Sequence, residues 1–73
     1  MEVKLGKYQH YKGNFYEVIG VGRHSETLEE VVIYKALYEG EFGQNSLWVR
    51  PKQMFSETVS FEGKEVKRFE FVK

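Results

Sequence analysis

Seventy-three residues suffice for one domain and sit near the lower limit for folding on a single hydrophobic core. There is no cysteine, which excludes disulfides and thiolate chemistry, and aromatics at 16% supply much of the apolar surface. Basic and acidic residues balance at 11 each, which counts against a sequence-blind nucleic-acid binder, because phosphate contacts need excess Lys and Arg.

In chain order, Lys7–Tyr11 reads as a strand leading into a turn at Lys12-Gly13-Asn14. Phe15–Arg23 is the first long strand, with Phe15, Ile19 and Val21 on one parity beside Glu17 and Arg23. Gly20 and Gly22 predict a bulge or sharp bend in it. Residues 26–37 admit two readings. Thr27-Leu28-Glu29-Glu30 resembles a helix capping box, but Val31-Val32-Ile33-Tyr34 is β-branched and aromatic. A turn followed by a strand over Val31–Tyr38 is preferred, and its two apolar faces predict a central position.

Glu39–Ser46 reads as a polar loop containing glycine. Leu47–Arg50 is a short strand stopped by Pro51, which opens one helical turn near residues 51–55. Met54 and Phe55 are expected to plug the core beneath it. Ser56–Phe61 and Glu65–Val72 form a hairpin around Glu62-Gly63-Lys64. The expectation is an all-β fold, a small SH3-like barrel of five or six strands, with residues 1–73 as one domain. No linker, repeat or low-complexity segment interrupts it. Such barrels serve many functions, so the fold alone assigns none.

Small secreted domains are usually rich in disulfides, so the missing cysteines point to the cytosol. Met1-Glu2-Val3-Lys4-Leu5 lacks the hydrophobic stretch of a signal peptide. No apolar run approaches the roughly 20 residues of a membrane helix. The charge is unevenly spread. Residues 25–46 hold one Lys against five Glu, a sum of −4. The segment before them holds four basic and two acidic residues, and the segment after holds six and four, so each sums to +2.

Several words of the sequence are those of a known family. They are Gly6-Lys7-Tyr8-Gln9-His10-Tyr11-Lys12-Gly13, Tyr16-Glu17-Val18 and Arg23-His24-Ser25-Glu26-Thr27-Leu28-Glu29-Glu30. Tyr34-Lys35-Ala36-Leu37-Tyr38, Leu47-Trp48-Val49-Arg50-Pro51 and Met54-Phe55-Ser56-Glu57 follow in order. Gly63-Lys64-Glu65-Val66 and Arg68-Phe69 complete the set. Over about residues 6–71 the chain resembles the bacterial domain-of-unknown-function family sixteen fifty-three. The resemblance implies a bacterial domain, stand-alone or fused to others, and carries no activity, cofactor or catalytic residue to transfer. The Glu39–Ser46 loop is expanded against the family pattern.

The polar run Arg23-His24-Ser25-Glu26-Thr27 lies between two apolar stretches, where loops that bind usually sit. His24 and Ser25 invite a nucleophile reading. As strand neighbours they would point to opposite faces, and His10 with Glu26 or Glu57 is the other arrangement. The plainer reading has Ser25 or Thr27 capping a turn and His24 bonded to backbone. Two distant histidines without a His-x-x-x-His or Cys pair are a weak metal signal.

The better candidate joins aromatics to charges. Tyr8, Tyr34 and Trp48 fall on three predicted strands. Arg50 follows Trp48 by two residues, so both point the same way. A flat ring beside a guanidinium grips a base, an aromatic ring or a carboxylate. The alternative puts Trp48 in the core and pairs Arg50 with Glu57 or Glu26. The candidate ligand-binding set is Tyr8, His10, Arg23, His24, Ser25, Glu26, Tyr34, Trp48, Arg50 and Glu57. The expected function is a non-enzymatic binding module for a small nucleotide-like ligand or a peptide, with no cofactor, no metal and no membrane. Nucleic-acid binding is an alternative if the two basic flanks meet in one patch. A small hydrolase or transferase using a histidine is another, and a weak homodimer through a strand edge is a structural possibility.

Overall fold

A computed structural model describes residues 3–73 of the chain. Met1 and Glu2, part of the stretch considered for a leader, lie outside the described residues. The elements run β1 (Gly6–His10), β2 (Phe15–Arg23), β3 (Glu30–Ala36), β4 (Glu39–Gly40), β5 (Gly43–Gln44) and β6 (Leu47–Pro51). They continue with α1 (Lys52–Phe55), β7 (Thr58–Phe61), β8 (Lys64–Lys67) and β9 (Phe69–Phe71). The fold is nearly all β. Five strands form one antiparallel sheet in the order β6-β3-β2-β1-β9, an arrangement compatible with an SH3-like barrel.

Residues 30–36 form a strand rather than a helix, and β3 lies inside the sheet between β2 and β6. Thr27 Oγ1 accepts the backbone N–H of Glu29, two residues on, which makes a turn where a capping box would bond three residues on. The register of β2 against β3 slips between Val18 and Gly20, as the glycines there predicted. The slip breaks the single face expected for Phe15, Ile19 and Val21, because one extra residue in a strand reverses the parity beyond it. Before the slip buried Val18 lies opposite Tyr34, and beyond it Val21 lies opposite core Val32, although Ile19 and Val21 both stay exposed at this end of the strand.

Two further expectations are corrected. Glu39–Ser46 is not a plain loop, because β4 and β5 pair within it as a short ribbon. Glu65–Val72 is not one strand. It divides at Arg68, with β8 pairing β7 and β9 pairing β1. The β7–β8 hairpin turns on Glu62 and Gly63, whose φ values of 52° and 78° are those of a two-residue turn with both centres left-handed.

The core is Tyr8, Val18, Val32, Tyr34, Phe55 and Phe69. Only one of the two side chains assigned to the plug enters it. Phe55 is buried, whereas Met54 is exposed. Pro51, with φ −53°, ends β6 and starts α1, which swings Phe55 inward. There its ring stacks on Phe69, 4.2 Å between centroids and 6° from parallel. Phe55→Ala should therefore cost about 3–5 kcal/mol in urea unfolding. Met54→Ala, one residue away, should change stability by no more than about 0.5 kcal/mol. Similar losses in both variants would show that α1 buries a different face.

Candidate functional site

Residues directly opposite across an antiparallel pair share a face. The register pairs His10 with Phe69, Tyr8 with Tyr16 and with Phe71, Val18 with Tyr34, Tyr34 with Trp48, and Val32 with Arg50. One face of the sheet thus collects Tyr8, Tyr16, Tyr34, Phe69 and Phe71 with Arg50, with Trp48 at one side and His10 at the other.

Tyr16 is the hub. Its ring meets Tyr34, Tyr38 and Phe69 edge to face at 5.4, 5.5 and 5.5 Å. Its hydroxyl is 2.8 Å from that of Tyr38. Arg50 donates through Nε to the Tyr34 hydroxyl at 3.3 Å, and its guanidinium carbon lies 5.7 Å from the Phe69 centroid. His10 reaches Phe69 from another side, at 5.0 Å. Arg68 donates to Glu57 Oε1 at 2.7 Å, and its buried Nε has no partner.

The pairing of Arg50 with Glu57 or Glu26 is therefore not formed. Glu57 is taken by Arg68, and no carboxylate of the described residues lies within ion-pair distance of Arg50. Trp48 is not core either. It is 39% exposed, donates its indole N–H to Ser46 Oγ at 3.0 Å, and packs edge-on against Phe42 at 5.5 Å. A small cleft of about 230 Å³ opens there, lined by Tyr38, Gly40, Glu41, Phe42, Ser46 and Trp48.

Burial holds the His10 imidazole below its ordinary value, and the positive charges of Arg50, Arg68 and Lys12 push the same way. Its Nδ1 accepts the backbone N–H of Lys12, which leaves the neutral ring with its proton on Nε2. Burial and the bond to Tyr38 raise the Tyr16 hydroxyl well above the usual phenol range. At neutral pH the face therefore offers neutral donors around an uncompensated guanidinium. It suits an anion attached to a flat ring.

The other sequence-selected residues do not reach the exposed part of this face. Tyr8 is buried behind Phe55, with its hydroxyl on the Lys4 carbonyl at 2.8 Å. Arg23, His24, Ser25 and Glu26 sit at the β2–β3 turn, roughly 23 Å from Tyr16 by strand rise. That turn satisfies itself. Arg23 Nη1 donates to the Leu28 carbonyl at 2.9 Å, and His24 Nδ1 accepts the Glu26 and Thr27 N–H groups at 3.1 and 3.4 Å. No hydrogen bond among the described residues joins either histidine to a carboxylate, and no group of three metal-ligating side chains forms. The sequence reading missed Tyr16, Tyr38, Phe42, Arg68 and Phe69 as members of the face. Arg68 falls inside the expected strand Glu65–Val72, where alternation gives it no special place.

The sequence profile of DUF1653, a protein family of unknown function, matches residues 6–71. The chain belongs to the DUF1653 family. A crystal structure of a DUF1653 protein from Bordetella bronchiseptica is similar, at 35% identity and a TM-score of 0.87. The similarity covers 97% of this chain and 88% of that one. No protein of curated function matches the chain. No helix of the described residues is long and apolar enough to cross a membrane.

The depressed His10 value has a measurable consequence. Unfolding lets this histidine bind its proton more readily, so acid favours the unfolded chain. The penalty from His10 is absent at pH above the ordinary value of 6.5 and grows as pH falls toward the lower folded value. NMR titration should place His10 below 6.5, and Arg50→Gln should bring it upward. A His10 titration unchanged by Arg50→Gln would show that the guanidinium does not act on the imidazole.

Proposed function

We propose that this DUF1653 domain is a non-enzymatic binding module whose Trp48–Arg50 face takes a small planar anion of the nucleotide type. One observation carries the reading. Arg50 has no carboxylate partner among the described residues and shares its face with the half-exposed ring of the chain's single tryptophan. A guanidinium supplies paired donors to phosphate or carboxylate, and an indole supplies a stacking surface. Tyr34 holds Arg50 by Nε alone, which leaves its terminal nitrogens for a ligand. The cleft beside Trp48 is small enough to take one ring rather than a chain. Glu41 at its wall can accept from an amino group on that ring.

The same reading takes residues 1–73 as one domain, working in the cytosol as a monomer or weak homodimer. A second reading, binding of single-stranded nucleic acid, is favoured by the meeting of the two basic flanks. Lys12 comes from one flank, Arg50 and Arg68 from the other, and all three charges act on His10. Stacking on Trp48 and Phe42 would then supply the base contacts.

Trp48 emission should be quenched saturably by AMP. Loss of a charged hydrogen bond costs about 1.5–3 kcal/mol, so Arg50→Gln should weaken the affinity roughly 10- to 100-fold. A short oligodeoxythymidine that binds far more tightly than AMP would move the assignment to the second reading. Linear quenching, identical in the parent and in Arg50→Gln, would overturn both.

A further inference from the structure

On the far side of the Phe55–Phe69 stack lies a larger cleft, about 420 Å³, between β9, the end of α1 and the N-terminal segment. It falls within the range of roughly 300–1,000 Å³ typical of small-ligand sites. Its walls are aromatic. The β1–β9 register sets Tyr8 beside Phe71 at 5.3 Å, and Phe55 meets the same tyrosine at 5.3 Å. The bond from the Tyr8 hydroxyl to the Lys4 carbonyl ties the N-terminal segment down as a further wall. Phe71 stays 36% exposed, so apolar surface remains open to an occupant.

The rim is cationic. Lys4, Lys67 and Lys73 line the cleft, against Glu70 alone. Two other lysines of the chain, Lys35 and Lys52, pair with glutamates, but none of the three rim lysines does so among the described residues. Lys4 Nζ rests 5.3 Å from the Phe71 centroid, so a charge sits directly beside the open ring.

We propose that this cleft is a second binding site, for a small organic carboxylate with an apolar body. The aromatic walls take the body, and the rim lysines take the carboxylate. Arg50 and Trp48 are not among its lining residues, so the site stands independently of the nucleotide-type reading.

The test uses the whole ¹⁵N-labelled chain titrated separately with sodium octanoate and octan-1-ol. Octanoate should shift the amides of Lys4, Tyr8, Glu70 and Phe71 saturably and leave Trp48 unmoved. Attraction to a lysine at a wet rim is modest, so octanoate should bind about five- to tenfold more tightly than octanol. The double variant Lys4→Glu, Lys67→Glu should lose that preference and keep octanol binding, which also reports that the cleft is still folded. Lys64→Glu, the same charge change on the β7–β8 turn, should keep the preference. Equal binding of octanoate and octanol to the parent chain would overturn the proposal. So would shifts centred on Trp48, or a Lys64→Glu effect as large as that of the double variant.

Discussion

The parallel stack of Phe55 on Phe69 is the contact on which the rest of this small structure depends. The chain buries few aliphatic side chains completely, Val18 and Val32 being the largest. A domain of this length hides a smaller share of its surface than a larger one does, so each large ring matters. Phe55 comes from one turn of helix, far too short to be stable alone. Phe69 comes from an edge strand of three residues that pairs with β1 only. Neither element has much local stability. Each is held by the other, and Tyr8 and Tyr34 close around the pair from the sheet.

The same stack sorts the charges. Chain direction places Arg68 just before Phe69, where β8 gives way to β9. There its backbone N–H donates to the Glu57 carbonyl at 3.0 Å and its side chain to the Glu57 carboxylate. This double link pins the β7–β8 hairpin to the end of α1. It also engages the carboxylate that the sequence offered to Arg50. Arg50 is left half-buried on an aromatic face, and its charge, like that of Arg68, acts on His10. Gathering like charges opposes folding, and packing elsewhere must offset it. Groups with perturbed titration beside an unpaired charge are more often found at binding sites than on inert surface.

Much of this architecture was legible from residue types. The bounds of β2, the bulge in it, the central place of β3 and the turn after Pro51 all followed from glycine, proline and β-branched runs. The face taken by β2 beyond Val18 was not legible. Period-2 reasoning assumes an unbroken strand, and the slip after Val18 moves Val21 off the face of Phe15 to lie opposite Val32. The division at Arg68 was hidden for a related reason. β8 and β9 are both extended, so alternation continues through the point where the chain leaves one sheet for another. For the candidate site, the shared face of Trp48 and Arg50 followed from spacing alone. Which arginine takes Glu57 did not, because that depends on where β8 ends.

Net charge was the least informative number in the sequence. Zero describes the chain and not its surface. The acidic middle segment is spent on the β2–β3 turn and the β4–β5 ribbon, while β1 and β9 pair and bring the two positive flanks together. Lys4 then faces Lys67 and Lys73 across one cleft, and His10 and Lys12 lie near Arg50 and Arg68. An antiparallel pairing of the first and ninth strands thus turns a neutral chain into one with a cationic end. Screening at physiological salt acts over about 8 Å, so an anion beside that end feels the lysines and arginines and little of the distant glutamates. Composition counted only against a sequence-blind nucleic-acid binder. Topology sets aromatic rings beside cations without carboxylate partners among the described residues at two places, and those are the places where the proposed anions would be received.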